Sequence, residues 1–340
     1  MQQLYSPARA GRPARPAPRA VSGEPRLAVL IPCYNEAAAI ETVVRDFRRA
    51  LPAAEIYVYD NNSTDDTAAR AAAAGAIVQR ETLQGKGNVV RRMFADIDAD
   101  AYVLVDGDAT YDAEDAPAMI DVLLHDRLDM VNGTRVSDRP GAYRPGHRFG
   151  NVVLTSLVRA AFGAGLRDML SGYKVLSHRL VKSMPLLSEG FEIETELAVH
   201  ALSLRMPIAE VATRYRERPA GSLSKLSTVK DGIRIARAIV MLVKEERPLS
   251  FFSALALLLA AASLALAAPV VATYLDTGLV PRLPTAVLAS AVMLLSFLSL
   301  ACGLILDTVT RGRKEMKRIA YLAAGARRLP LLEAPMASHP

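Results

Sequence analysis

Two carboxylates one residue apart close an apolar run, Tyr102-Val-Leu-Val-Asp106-Gly-Asp108-Ala-Thr-Tyr111. The β-branched and aliphatic residues before them read as a buried strand of a parallel sheet. Open α/β sheets place their ligands at the carboxyl ends of such strands. Asp106 and Asp108, with Gly107 keeping the backbone slim, form a hard-oxygen pair suited to a divalent cation that bridges phosphate oxygens. The alternative is a strand that ends in an acidic, solvated turn. An Asp-x-Asp by itself does not decide between the two.

The elements needed to position this pair repeat its pattern. Leu27-Ala-Val-Leu-Ile31 is a compact strand that ends in Pro32-Cys-Tyr34-Asn35-Glu36, with a helix running on to about Ala50. Ile56-Tyr-Val-Tyr59 is a second strand, ending at Asp60-Asn-Asn62-Ser63-Thr-Asp65-Asp66. Ser63 and Asp66 have the spacing of a capping box for the next helix, which stops at Gly75. A third strand covers 76–78. Gln84-Gly-Lys86-Gly-Asn88 then leads into a helix with Val89, Val90 and Met93 on its apolar side. Strands alternating with helices imply βαβ units and a mostly parallel sheet. No Gly-x-Gly-x-x-Gly follows the first strand and no Walker loop occurs, so the NAD and ATP readings lose support. Instead, four successive strand ends carry polar residues to one edge.

These residues resemble the signatures of family 2 glycosyltransferases with the GT-A fold: Ile31-Pro-Cys-Tyr-Asn-Glu36, Asp60-Asn-Asn-Ser-Thr-Asp-Asp-Thr67, Gly85-Lys-Gly87 and Asp106-Gly-Asp108. The resemblance runs from about residue 27 to 226. It implies a nucleotide-diphosphate sugar donor and a divalent metal, Mg²⁺ or Mn²⁺. Residue by residue, it implies that Pro32, Tyr34, Glu36 and Asp60 contact base and ribose, with Asn62 in the same donor set. Lys86 would lie near the nucleotide, and Asp106 and Asp108 would face the metal and diphosphate.

Further along stand Asn132-Gly-Thr-Arg135, then Arg144, His147, Arg148 and Asn151, then Asp168-Met-Leu-Ser-Gly172-Tyr-Lys174. Gly190-Phe-Glu192-Ile-Glu194-Thr-Glu196 and Tyr215-Arg-Glu-Arg218-Pro-Ala-Gly-Ser-Leu-Ser-Lys225 follow. This order is similar to the polyprenyl-phosphate branch of the family, the dolichyl-phosphate mannose synthase and undecaprenyl-phosphate glycosyltransferase type. The resemblance implies that Arg135 and Arg148, with Arg144 as a further candidate, hold the acceptor phosphate. Planar guanidinium groups suit that bidentate task. Arg218 and Lys225 would close over the donor diphosphate. Two departures stand out. Thr110 occupies a position where that branch commonly carries a further polar metal-side residue, often Gln, which leaves the third ligand open. The chain has no Trp, so the Gln-x-x-Arg-Trp signature of processive synthases is absent and a single transfer is expected.

The mean hydropathy of +0.18 is high for a wholly soluble enzyme, and the excess lies near the C-terminus. Residues 249–274 and 285–306 carry no charge, and each stretch exceeds the roughly 20 residues that span a bilayer core. Lys244 and Arg247 precede the first, and Arg311, Arg313, Lys314, Lys317 and Arg318 follow the second, whereas the connecting loop has only Arg282. The positive-inside rule puts both ends and the catalytic domain in the cytoplasm, at the inner (cell) membrane. Between enzyme and hairpin, Val229, Ile233, Ala236, Val240 and Val243 recur at helical spacing opposite a basic face. That is an amphipathic helix for the lipid interface or for packing on the catalytic domain. The net charge of +6 gathers in the first 20 residues and after the second span, which suits an anionic membrane rather than a nucleic acid. Cys33 and Cys302 have neither metal-site nor disulfide spacing.

The expected organisation is therefore a basic, Pro-rich disordered tail over 1–25 that is not a secretory signal, and a GT-A catalytic domain over 26–227. An amphipathic helix over 228–247, a transmembrane hairpin over 248–308 and a cytoplasmic basic tail over 309–340 complete it. The expected activity is metal-dependent inverting transfer of one sugar to a polyprenyl phosphate. Asp108, Arg135 and Arg148 are its catalytic candidates, with Glu194 or Glu196 near the sugar. A hydroxyl-bearing lipid acceptor, which would need a general base, and a non-catalytic nucleotide-sugar-binding scaffold are the alternatives. The two-helix hairpin is small enough that homo-oligomers in the membrane are also envisaged.

Overall fold

The computed structural model describes residues 25–136, 166–218, 237 and 239–325. Seven strands form one sheet: β1 (Leu27–Cys33), β2 (Glu55–Asp60), β3 (Ile77–Arg80), β4 (Ala101–Leu104), β5 (Met130–Val136), β6 (Lys174–Ser177) and β7 (Ile208–Arg214). Their spatial order is β3-β2-β1-β4-β6-β5-β7. All run parallel except β6, which pairs antiparallel with both β4 and β5.

Successive strand residues point to opposite faces, and each face has its own core. Val29, Ile31, Val103 and Val175 pack with Val43, Val44 and Phe47 of α1 (Ile40–Ala50) and with Met119 and Ile120 of α4 (Ala116–His125). Leu30, Tyr102, Leu104 and Leu176 pack on the other side with Val89, Val90 and Met93 of α3 (Lys86–Asp96). Leu180 of α5 (His178–Ser183) and Leu197 of α6 (Ile193–Ser203) complete that layer. The short α2 (Thr67–Ala73) links β2 to β3. Burial on both faces explains why the strands read as unbroken apolar runs.

Three local expectations change. The capping box at Ser63 and Asp66 does not form: Asp66 makes no side-chain cap bond, and Ser63 Oγ instead accepts from Asn35 N at 2.9 Å. The loop after β1 claims the hydroxyl that the helix would have used. The third strand starts at Ile77 and extends to Arg80, past the predicted 76–78. In the linking helix the buried residue is Ile239, with Leu242 and Val243 packed on the catalytic core, whereas Val240 is half exposed. For the described part, packing on the domain is thus the arrangement seen. The tail 1–24 and the linking segment 219–236 lie outside the described residues.

Two long helices, α7 (Pro248–Thr277) and α8 (Leu283–Ala323), follow. Both are long and apolar enough to cross a membrane, and they lie side by side. Ser263, Ser296 and Ser299 each donate to a carbonyl of the opposite helix, at 2.7, 2.7 and 3.1 Å, a bonding mode suited to helix pairs in lipid. α8 does not end with its apolar stretch. It continues without a break through residues 309–323 of the expected tail.

His200, near the end of α6, is buried, and its Nε2 has no hydrogen-bond partner. Burial, with Lys317 adding and Glu246 opposing, pushes its pKa from 6.5 down to about 4. The unfolded chain takes up this proton from pH 6.5 downward, whereas the folded chain resists until about 4. Stability from this group is therefore complete above pH 6.5 and drains away towards pH 4. His200→Gln should flatten the acid limb of melting temperature against pH, reducing the loss by up to about 3 kcal/mol.

Candidate active site

The carboxyl edge of β4 is where the charged groups meet. Val105 leaves the strand, and the chain turns through Asp106-Gly107-Asp108, with Ala109 at φ 58°. Gly107 has no room for a side chain: a Cβ there would lie 2.6 Å from Cys33 Sγ. A Cβ on Gly172, in the turn before β6, would lie 2.2 Å from Asp106 Oδ2. Gly172 is therefore the floor under Asp106, and its N–H donates to the Tyr111 hydroxyl at 2.8 Å.

Lys86, the first residue of α3, reaches Asp106 Oδ1 at 2.5 Å and also binds Glu194 Oε1. Burial opposes the charge on Lys86, but Asp106 and Glu194 outweigh it and hold the ammonium well above its ordinary pKa. Burial likewise disfavours ionised Asp106, yet Lys86, then Arg218 and Arg135, keep it below the usual carboxylate range. Asp108 moves the other way. Burial and the neighbouring Asp106 push it up, against Arg218 and Thr110. Its Oδ1 accepts from Thr110 N at 3.1 Å and Oγ1 at 2.6 Å, and its Oδ2 meets Arg218 at 2.5 Å. Thr110, the odd residue of the motif, is thus a prop for Asp108.

Asp106 and Asp108 are both oxygen donors on one turn. Among the described residues no cluster of three or more His, Cys, Asp or Glu gathers for a metal. Two carboxylates with the remaining positions left to phosphate and water are a coordination that Mg²⁺ commonly accepts, and oxygen donors suit Mn²⁺ as well. The donor set fits such an ion.

The other donor-side candidates line the neighbouring strand ends. Tyr34 is 38% exposed, Pro32 partly so, and Glu36 and Asp60 are buried. Asp60 Oδ2 accepts from Ser63 N at 3.2 Å, while its buried Oδ1 has no partner. Asn62 is occupied with the β3 loop, donating to Thr82 O at 2.9 Å. Its neighbour Asn61, which sequence reasoning passed over, does more. It donates to Glu81 O and Leu83 O at 2.9 and 2.8 Å and accepts from Gly85 N at 2.7 Å, tying the end of β2 to the turn that presents Lys86. Its place inside the Asp-Asn-Asn run was the available signal.

On the far side, Arg135 near the end of β5 is gripped by Asp168, Nε to Oδ2 and Nη2 to Oδ1, both at 2.7 Å. Its guanidinium lies 5.6 Å from the centre of the Tyr215 ring. Asp168 was quoted in the sequence only as part of a motif; it is the group that orients Arg135. Behind it Lys174, wholly buried, donates to Asn132 Oδ1 at 2.5 Å, and Asn132 donates to Asp168 O at 2.8 Å. Burial lowers the Lys174 pKa to about 8. Arg144, Arg148 and Lys225 lie outside the described residues.

The two candidate glutamates separate. Glu194 faces Lys86. Glu196 points away from the charged groups: its oxygens accept from Leu187 N and Ser188 N at 2.9 and 2.8 Å. Of the two candidates it is thus Glu194 that faces the charged groups, because positions two apart on a helix point about 200° apart. Glu196 holds the 187–190 loop, whose carbonyls sit 2.2 and 2.1 Å from where Cβ atoms on Gly85 and Gly87 would be. Glu196→Ala should therefore lower stability by about 1–3 kcal/mol for the amides left unpaired, read as melting temperature. Glu194→Gln should lower melting as well, because it strips one of the two carboxylates from the buried Lys86 ammonium, and should in addition act on turnover.

The sequence profile described as Glycosyl transferase family 2 matches residues 28–183. Glycosyltransferase AglJ of Haloferax volcanii is 35% identical over 297 residues, covering 86% of this chain and 97% of its own. A dolichyl-phosphate hexose transferase of the same organism is 31% identical over 221 residues, 65% of this chain and 95% of its own. Among solved structures, glucosyl-3-phosphoglycerate synthase from Mycobacterium tuberculosis with phosphoglyceric acid has 25% identity and a TM-score of 0.53, over 65% of this chain and 80% of that one. Another structure of it, at 24% identity and the same TM-score and coverage, holds Mn²⁺, uridine diphosphate and glucosyl-3-phosphoglycerate. The sheet order, the strand-end carboxylates and these likenesses agree: the chain has a GT-A-like α/β fold and belongs to glycosyltransferase family 2.

Proposed function

We propose that this chain is a membrane-anchored inverting glycosyltransferase that moves one sugar from a nucleotide-diphosphate donor to the phosphate of a polyprenol. The observation that carries the reading is the pairing of two cationic anchors at one sheet edge. Lys86 lies between Asp106 and Glu194, and Arg135 is fixed by Asp168 at the end of β5, two strands from β4 along the same edge. Similarity to a dolichyl-phosphate hexose transferase supports the acceptor class, and the two apolar helices support the anchor.

In this reading Pro32, Tyr34, Glu36, Asp60 and Asn62 serve the nucleoside end of the donor. Asp106 and Asp108 would hold a Mg²⁺ or Mn²⁺ ion, which when bound supplies neutralising charge to the diphosphate. Lys86 and Arg218, with Lys225, neutralise the leaving group, and Arg135, with Arg144 and Arg148, orients the acceptor phosphate. A phosphate oxygen, anionic at neutral pH, attacks the anomeric carbon as the bond to the diphosphate oxygen breaks. One such displacement inverts the centre, and no proton has to be removed from the nucleophile. Catalysis is positioning and charge neutralisation. Glu194 keeps Lys86 in place, because its carboxylate is committed to that ammonium. That commitment weighs against a hydroxyl acceptor, which would need a free base.

The test supplies full-length protein with undecaprenyl phosphate, Mg²⁺ or Mn²⁺, and UDP- or GDP-sugars in turn, and detects released nucleotide and lipid product by mass. A single polyprenyl-phosphate sugar from one donor is expected. Donor consumption only with hydroxyl lipids, or donor binding without any product, would sink the proposal. Lys86→Met and Glu194→Gln should each cut turnover on the order of 100-fold, with KM for the lipid little changed.

A further inference from the structure

Beyond its apolar stretch α8 is anchored at two levels, first to the linking helix and then to the catalytic domain itself. At the first, Thr310 and Arg313 donate to Glu245 O at 2.8 and 2.9 Å, and Lys314 donates to Glu246 O at 2.9 Å. These carbonyls end the helical residues 239–246, where cations are favoured. Lys317 then meets the buried Glu246 carboxylate at 2.8 Å. At the second level, Tyr321 donates to buried Asp129 at 2.8 Å and accepts from Arg179 at 3.3 Å, with the Arg179 guanidinium 5.2 Å from the ring centre. Arg313, Lys314 and Lys317, read from the sequence as membrane-side charges, are thus engaged within the chain.

Tyr321 lines a cavity of about 100 Å³ together with Leu204, Met206 and Pro207, just beyond α6. Arg311 stands about 7.5 Å past Leu306, the last residue of the uncharged stretch, at 1.5 Å per residue, so the anchored turns begin within one headgroup depth of the apolar stretch. The polar headgroup layer on one side of a bilayer is about 5–8 Å deep.

We infer that residues 307–323 of α8 form a strut that fixes the catalytic domain over the lipid headgroup layer, with Tyr321, Lys317 and Glu246 as positioning residues. The inference rests on the hairpin spanning a membrane, as in the proposed function. The strut leaves the chemistry to the site and supplies the alignment of the site with an acceptor phosphate that cannot leave the bilayer.

The test uses full-length protein in proteoliposomes, with the acceptor either as undecaprenyl phosphate in the bilayer or as a short, water-soluble prenyl phosphate in the aqueous phase. For Tyr321→Ala/Glu246→Gln we expect a tenfold or greater loss of transfer to the bilayer acceptor. Transfer to the soluble acceptor and binding of nucleoside diphosphate should stay within twofold of wild type. Equal loss on both acceptors, or none on either, overturns the strut. Should the double variant fail to bind nucleotide, Tyr321→Phe is judged by the same split. A second readout labels a cysteine placed at Ser188, with Cys302 replaced by Ser, and measures its quenching by headgroup spin-labelled lipid. Quenching should be strong in the parent and fall when the strut contacts are removed; unchanged quenching overturns the inference. A wild type that uses neither acceptor refutes the proposed function, and the quenching experiment still decides the strut.

Discussion

One ammonium group between a buried carboxylate, Glu194, and a part-buried one, Asp106, organises the catalytic edge. An ion pair taken out of water is favourable only when its geometry and remaining hydrogen bonds are nearly complete. Lys86 meets that demand by starting a helix rather than ending a loop. Gly85 and Gly87 on either side let the 187–190 backbone close against the helix start, and Gly87 N donates to Glu189 O at 2.9 Å. Glu196 secures that loop from behind. Asn61 secures the turn in front. Each of these groups acts on the backbone around Lys86, and each limits where the ammonium can stand.

The other half of the edge follows a different principle. Arg135 is held by a planar, two-point contact with Asp168, and Asp168 is stabilised through a backbone bond from Asn132, itself held by buried Lys174. A guanidinium loses little freedom per bond when its partner is flat and fixed. The sheet therefore delivers one flexible cation made rigid by two carboxylates and one planar cation made rigid by one.

The strand ends were legible because strand length and carboxyl-edge chemistry are local properties. Leu27–Cys33 and the run into Asp106 carry their own apolar pattern. What stayed hidden was long-range. The contact between Lys86 and Glu194 joins positions 108 apart in sequence, and nothing in either segment announces it. Glu194 and Glu196 sit in one acidic cluster; helix geometry points them apart, but which of them meets Lys86 and which holds the 187–190 loop follows only from tertiary packing. The Ser63 capping box failed for a similar reason: a local partner lost its hydroxyl to Asn35 of a different loop. The full extent of α8 was not legible, because the end of an apolar stretch is not the end of a helix. Its charged turns from Arg311 onward have helix-compatible residues and tertiary partners that composition does not reveal.

The reversed strand β6 acts as a spacer. Because it lies between β4 and β5, the Asp106 and Arg135 ends are two strand widths apart, about 10 Å at the usual 4.7–4.9 Å per strand. Its antiparallel direction brings its own start, Gly172, to the same edge as their ends, so the gap is floored by a residue without a side chain. On the proposed reading, a sugar ring between diphosphate and acceptor phosphate has to fit that gap. Sheet pairing, which tolerates almost no stretching, would then fix the separation of the reacting groups more firmly than any loop could.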